Sequence, residues 1–159
     1  KEMSNIGIAF SPSKEQNPHK LEKLGYQWIK CHMIVDIKLG ENFRRKARFV
    51  AGGHMADTPA SMMYSSVVSF DSVRICLTLA ALNCLEVLSG DIQNAYLTAP
   101  NKEKIFMRAG PEFGSNEGKL FIVERALYGL KSAGASFRQY LASKIHDLGF
   151  RPTAADPDV

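Results

Sequence analysis

The stretch from Tyr26 to Ala51 constrains this chain more than any other. Tyr26 to Lys38 is crowded with aromatic and β-branched residues and partly alternates apolar with polar, the pattern of a half-buried strand. Leu39, Gly40, Glu41 and Asn42 are turn residues, and Phe43 to Ala51 returns as a second strand. The spacing predicts a hairpin, closed by Gly52 and Gly53. The period then changes. Val73, Cys76, Leu77, Ala80 and Cys84 follow helical spacing, with Ile75, Leu79 and Leu82 widening the apolar face, so a well-buried helix is expected with Asp71 or Ser72 as its N-cap. Leu85 to Ile92 is short and apolar and predicts a central strand ending at Asp91. Ile105–Met107 and Leu120–Val123 predict two more strands. Ser132 opens a last helix, with Phe137, Tyr140, Leu141, Ile145 and Leu148 as its stripe and Gly149 as its stop. Helices and strands mix without regular β-α-β alternation, which argues for an α+β fold.

With 159 residues, 45% of them hydrophobic and 23% charged, the chain can build a packed core and is the size of one domain or of a piece of a larger one. Residues 1–22 read as a polar lead-in, and Ser11 to His19, with two prolines, as a loop or linker. Lys1 at the start and Asp156, Pro157, Asp158 and Val159 at the end make both termini read as cut. The three cysteines, Cys31, Cys76 and Cys84, contain no CxxC pair, which argues against a disulfide framework and a structural zinc site. Cys76 and Cys84 are expected to face the core as small hydrophobes. No signal peptide and no apolar run of about 18 residues is visible, so an intracellular, reducing compartment is expected and a membrane partner is not.

Three features could carry chemistry. Asp91, at the end of an apolar strand, needs a cation, a metal or several hydrogen bonds, and a strand-end carboxylate can hold Mg²⁺ for phosphoryl transfer. From spacing alone, an aspartate capping the next turn is the commoner arrangement. Arg44, Lys46 and Arg48 fall on one face of the second hairpin strand and Arg45 on the other. Cations so placed grip a triphosphate or a nucleic-acid backbone, or else protect a solvated edge. Gly129 and Lys131, before the last helix, suit either a ligand's close approach or a plain helix-entry turn. The four histidines have no ligand spacing, and Asp156 and Asp158, separated by Pro157, read as a turn rather than a metal pair.

Taken together, these segments resemble one family. Lys46–Gly53 is similar to the "KARLVAKG" segment of Ty1/copia-type retrotransposon reverse transcriptases, and Tyr64–Val68 to their "FSPVV". Ser72–Ala81 resembles "IRxLLALAA", Gly90–Leu97 resembles "LDVKNAFL", Ala126–Lys131 resembles "SLYGLKQ", and Leu148–Asp156 resembles "LGFxxSxxD". The six occur in family order. Gly52–His54 departs from "AKGF" and Ser132–Gly134 from "QAPR", and Phe137 stands where a tryptophan is frequent.

The resemblance implies the fingers (about 23–70) and the opening part of the palm (about 71–159) of a right-hand polymerase. It implies RNA-directed DNA synthesis from deoxynucleoside triphosphates with Mg²⁺, or Mn²⁺ in its place. Asp91 falls on the metal-binding aspartate, and the backbone carbonyl of Ile92 joins it. Tyr96 falls on the aromatic that excludes the ribose 2′-OH, Lys46 and Arg48 on cations that hold the triphosphate, and Gly129 and Lys131 in the segment shaping the template and nucleotide pocket. The implied partners are an RNA/DNA template-primer and the remaining palm, RNase H and integrase parts of a polyprotein, in a cytoplasmic virus-like particle or the nucleus. The family's "YVDD" carboxylates are not in this sequence. One carboxylate cannot hold two divalent ions about 4 Å apart, so the chain by itself is expected not to polymerise. The competing readings are a degenerate retrotransposon remnant with no catalysis, at most a nucleic-acid-binding domain, and a small α+β interaction domain.

Overall fold

The computed structural model describes residues 2–40, 43–57 and 65–159. Helix α1 (Glu2–Ile6) runs through a 3-10 turn into strand β1 (Phe10–Pro12) and helix α2 (Pro18–Lys23). Strands β2 (Gln27–Trp28), β3 (Cys31–Lys38) and β4 (Arg44–Ala51) follow, then helices α3 (Phe70–Leu82) and α4 (Ala95–Thr98). Strands β5 (Ile105–Arg108) and β6 (Leu120–Val123) and helix α5 (Ala133–Asp147) complete the described order. Helices and strands are thus mixed without regular alternation.

One sheet has the order β1-β6-β5-β2, with β2 parallel to β5 and the other pairs antiparallel. β3 and β4 form the expected hairpin, in register from Cys31 opposite Ala51 to Lys38 opposite Arg44. The single strand expected over Tyr26–Lys38 is broken at Ile29 and Lys30, where the chain turns from one sheet to the other. The N–H of Ile29 donates to the carbonyl of Phe106 (3.0 Å), and the carbonyl of Lys30 accepts from the N–H of Gly52 (2.8 Å). One continuous β pattern therefore serves two sheets.

β5 is buried on both faces. Ile105 and Met107 join the main core and Phe106 the smaller one behind it. In the main core, Phe10, Phe49, Phe113 and Phe121 interlock, with ring centroids 5.4 to 5.7 Å apart. Phe49 plugs the root of the hairpin into this cluster, and full burial of such a side chain contributes about 1.5–3 kcal/mol. On the other face, Leu21 of α2 packs on Phe106 and Leu120.

The lead-in expected as a linker is therefore partly core. Ile6, Ala9, Phe10 and Leu21 are buried, and β1 pairs with β6. The polar residues between them are tied down by backbone groups: Ser13 N–H donates to the Leu120 carbonyl (2.9 Å), and Gln16 Oε1 accepts from Leu120 N–H (2.8 Å). Few apolar anchors suffice when the intervening backbone is hydrogen-bonded.

Two further expectations fail. α3 forms, but its N-cap is Ser69, not Asp71 or Ser72, and none of its residues is buried. Cys76 and Cys84 are exposed. Residues 85–92 form no strand, so Asp91 lies in an exposed loop. The reason is shared. Helical spacing and a cap suffice to form α3, whereas burial needs a covering layer and a strand needs a neighbour to complete its ladder. The described residues supply neither. In α5, Phe137 and Tyr140 pack against the core as expected, while Ile145 and Leu148 are exposed.

Candidate active site

β4 projects its cations from a fixed root. Alternation places Arg44, Lys46 and Arg48 on one face and Arg45 on the other, with Asp36 opposite Lys46 and Ile34 opposite Arg48. The side chains of Arg45, Lys46 and Arg48 make no hydrogen bond or ion pair among the described residues. At the root, the segment Leu127–Lys131 crosses β4 at backbone distance. Ala51 N–H donates to the Tyr128 carbonyl (2.8 Å). Gly129 has φ +95°, and a Cβ on it would run into the Ala51 carbonyl, while a Cβ on Gly53 would run into the Gly129 carbonyl. The close approach that a glycine was expected to allow at 129 is thus made by the chain's own backbone. Lys131 Nζ donates to the Ala56 carbonyl (2.8 Å), which leaves its other two N–H donors for a further partner.

Tyr96 joins the same cluster. α4 begins after Asn94, itself left-handed at φ +53°, and this turn brings the Tyr96 ring to 4.7 Å from Tyr128 and 6.0 Å from Phe137. Tyr96, Tyr128, Gly129, Lys131 and the root of β4 are therefore assembled. Asp91 and Ile92 are not tied to them: both are exposed, and Asp91 takes part in no hydrogen bond or ion pair among the described residues. No group of three histidine, cysteine, aspartate or glutamate side chains that could hold a metal occurs among the described residues.

Asp156 and Asp158 do more than turn the chain. Asp156 accepts from the Ser69 N–H (3.1 Å) and the Ser72 hydroxyl (2.6 Å), joining the C-terminal turn to the start of α3. Asp158 pairs with Arg138 Nε at 2.7 Å on α5. The Ser72 hydroxyl, then the N–H groups of Asp158 and Ser69, hold the Asp156 carboxyl below its ordinary range. Ser66 and then Arg138 do the same for Asp158. Burial, with the carboxylate of Glu112 nearby, pushes the Cys31 thiol up to about 12.

The family described as "Reverse transcriptase (RNA-dependent DNA polymerase)" matches residues 14–158. The chain belongs to this reverse transcriptase family. It is similar to the Transposon Ty1-BL and Ty1-DR4 Gag-Pol polyproteins of Saccharomyces cerevisiae, in each case 39% identical over 102 residues. The match takes in 63% of this chain and 6% of each polyprotein, so the chain spans a small fraction of the length of these relatives. No solved structure matches.

In this member of the family, the segments Lys46–Gly53 and Ala126–Lys131 meet at the Gly53–Gly129 crossing, and Gly90–Leu97 reaches them through Tyr96. In Tyr64–Val68, Tyr64 lies outside the described residues. Sequence reasoning passed over Tyr128, which holds Tyr96, and the contact of Asp156 with α3. Tyr128 sits inside the singled-out segment beside Gly129, where an aromatic next to a tight turn was the available signal. Nothing local marks Asp156 as a partner of Ser69 and Ser72, because the three are brought together only by the fold.

Proposed function

We propose that this chain is part of an RNA-directed DNA polymerase of a copia-type retrotransposon, with residues of about 23–70 as fingers and about 71–159 as the start of the palm. The observation that carries this reading is the family match across nearly the whole chain. Its geometry is consistent with a nucleotide grip. Lys46 and Arg48 are proposed to take the triphosphate, since paired cations on one strand face suit its charge. Tyr96, steadied by Tyr128, is proposed to stand beside the sugar and exclude a 2′-OH. Gly129 and Lys131 are proposed to shape the pocket for template and nucleotide.

Asp91, with the Ile92 carbonyl, is proposed as one ligand of the family's divalent cations, Mg²⁺ or Mn²⁺. The described residues do not by themselves fit two such ions. Two hard cations about 4 Å apart need several carboxylates between and around them, and among the described residues Asp91 belongs to no group of three histidine, cysteine, aspartate or glutamate side chains that could hold a metal. The chain alone is therefore expected not to extend primers. An RNA/DNA template-primer is the proposed partner, with RNase H and integrase parts elsewhere in the polyprotein and a virus-like particle or nucleus as the setting. Among the described residues no helix is long and apolar enough to cross a membrane.

Primer extension on a primed RNA template with Mg²⁺ tests this. It compares the 159-residue chain, a version continued along its reading frame through the expected Tyr-x-Asp-Asp segment, and that longer version with Asp91→Asn. Extension by the longer wild type alone supports the reading. A soluble but inactive longer protein favours a catalytically dead remnant. Unchanged synthesis by the Asn variant removes Asp91 from the site.

A further inference from the structure

One half-buried acid has no part in the nucleotide grip. Beyond β5 the chain passes Gly110 into a 3-10 turn, Pro111–Asn116, which stands beside α1 and β1. Together they line a cavity of about 330 Å³, within the range of roughly 300–1,000 Å³ usual for small-ligand sites. Ile6, Phe10, Phe113 and Phe121 give it apolar walls, and Glu112 and Asn116 are its polar residues.

The carboxylate is placed by its neighbours. A Cβ on Gly110 would lie 2.5 Å from Glu112 Oε2, so the acid folds back over a spot that only glycine leaves open. Glu112 is half-buried, and its side chain makes no hydrogen bond or ion pair among the described residues. Lys119 is turned instead to Asn116, its Nζ donating to Oδ1 (2.8 Å), and the Asn116 amide N–H groups are left for another partner. The charge also reaches the core: after burial itself, Glu112 is what raises the Cys31 thiol. A carboxylate drawn partly out of water among phenylalanines is costly until a cation meets it.

We propose that this cavity binds a small organic ammonium ion, its nitrogen at Glu112 and its apolar body among Phe10, Phe113 and Phe121. Charge complementarity selects a cation. The walls select one with an apolar body, and phenylalanine rings themselves attract cations. A single carboxylate is too few for a hard divalent ion, which takes six or more oxygen ligands. None of these residues belongs to the proposed nucleotide or metal site, so the inference stands apart from the polymerase reading.

Ligand-observed ¹⁹F NMR on the 159-residue chain at pH 7 tests this. The probe is 2-(4-fluorophenyl)ethylamine, protonated at that pH, and its neutral counterpart is 2-(4-fluorophenyl)ethanol. The wild type is expected to bind the amine about tenfold more tightly than the alcohol, the gain of one charge-assisted hydrogen bond. Glu112→Gln keeps the shape of a side chain that has no hydrogen bond to lose, and is expected to remove this preference by weakening the amine alone. Equal binding of amine and alcohol by the wild type overturns the proposal, and that comparison needs no variant to fold. Unchanged amine binding by Glu112→Gln overturns it too, by placing the amine elsewhere. Tighter binding of Nα-acetyl-lysine methylamide than of the amine overturns it in favour of a lysine side chain of another protein. Primer extension enters none of these outcomes, so the fate of the polymerase reading is separate.

Discussion

Gly129 and Gly149 have nearly the same backbone, φ +95° and +94°, and very different surroundings. Gly149 ends α5 with open space where a Cβ would go, so Gly149→Ala is charged only the left-handed conformation, about 1–2 kcal/mol. Gly129→Ala adds a collision with the Ala51 carbonyl, where only backbone can move, and is expected to cost about 3 kcal/mol or more. Urea unfolding of the two variants checks this, and equal losses would remove the crossing from the account. The cysteines give a second contrast. Cys76 and Cys84 are exposed, whereas the Cys31 thiol is pushed up to about 12 by burial and so supplies almost no thiolate near neutrality. Iodoacetamide at pH 8 is expected to label Cys76 and Cys84 within minutes and to spare Cys31 until the protein is denatured. Mass spectrometry of peptides reads the order, and early labelling of Cys31 contradicts the packing of β3.

At the level of elements, the C-terminal turn is held to α3 and α5 by carboxylates whose native pKa values are depressed. A group with a lower pKa in the folded state stabilises it fully above the unfolded value, about 4, and loses that contribution as pH falls through the folded value. Hydrogen-exchange protection at the start of α3, taken relative to the intrinsic rate at each pH, is therefore expected to fall as pH drops below about 4, and Asp156→Asn to flatten that dependence. Protection at Ser69 and Ser72 that is insensitive to pH in the wild type would count against the contact. The same element shows what sequence can and cannot carry. The hairpin of β3 and β4, the strands β5 and β6, and the end of α5 at Gly149 were legible, because alternation, turn residues and caps are local. The split between β2 and β3 was not, since Ile29 alternates equally well in either sheet. The burial of α3 and the strand at 85–92 were misread for a related reason: periodicity shows that a face is apolar, not that a partner covers it. Of the site, the segment around Gly129 and the aromatic at 96 could be found, while their meeting through Tyr128 depended on the fold.

Across the whole molecule, the core is concentrated around β5, and apolar surface is left open elsewhere. Leu82 is 75% exposed and Leu88 92%, and Leu148 and Phe150 are open as well. Surface of this kind associates. Sedimentation at rising concentration is expected to show species heavier than the 17.6 kDa chain, and Leu82→Glu with Leu88→Glu to shift the population toward monomer. A monomer at every concentration would show that these residues do not drive association. The crossing of Gly53 and Gly129 has a consequence of another kind. Glycine is specified by the first two bases of its codon alone, so every substitution at those bases, in either codon, places a side chain where only backbone fits or ends translation. A gene copied with frequent errors would thus carry two short, widely separated stretches in which a single-base change is enough to silence the copy. The first place to look for decay in a duplicate of this gene is therefore that pair of codons.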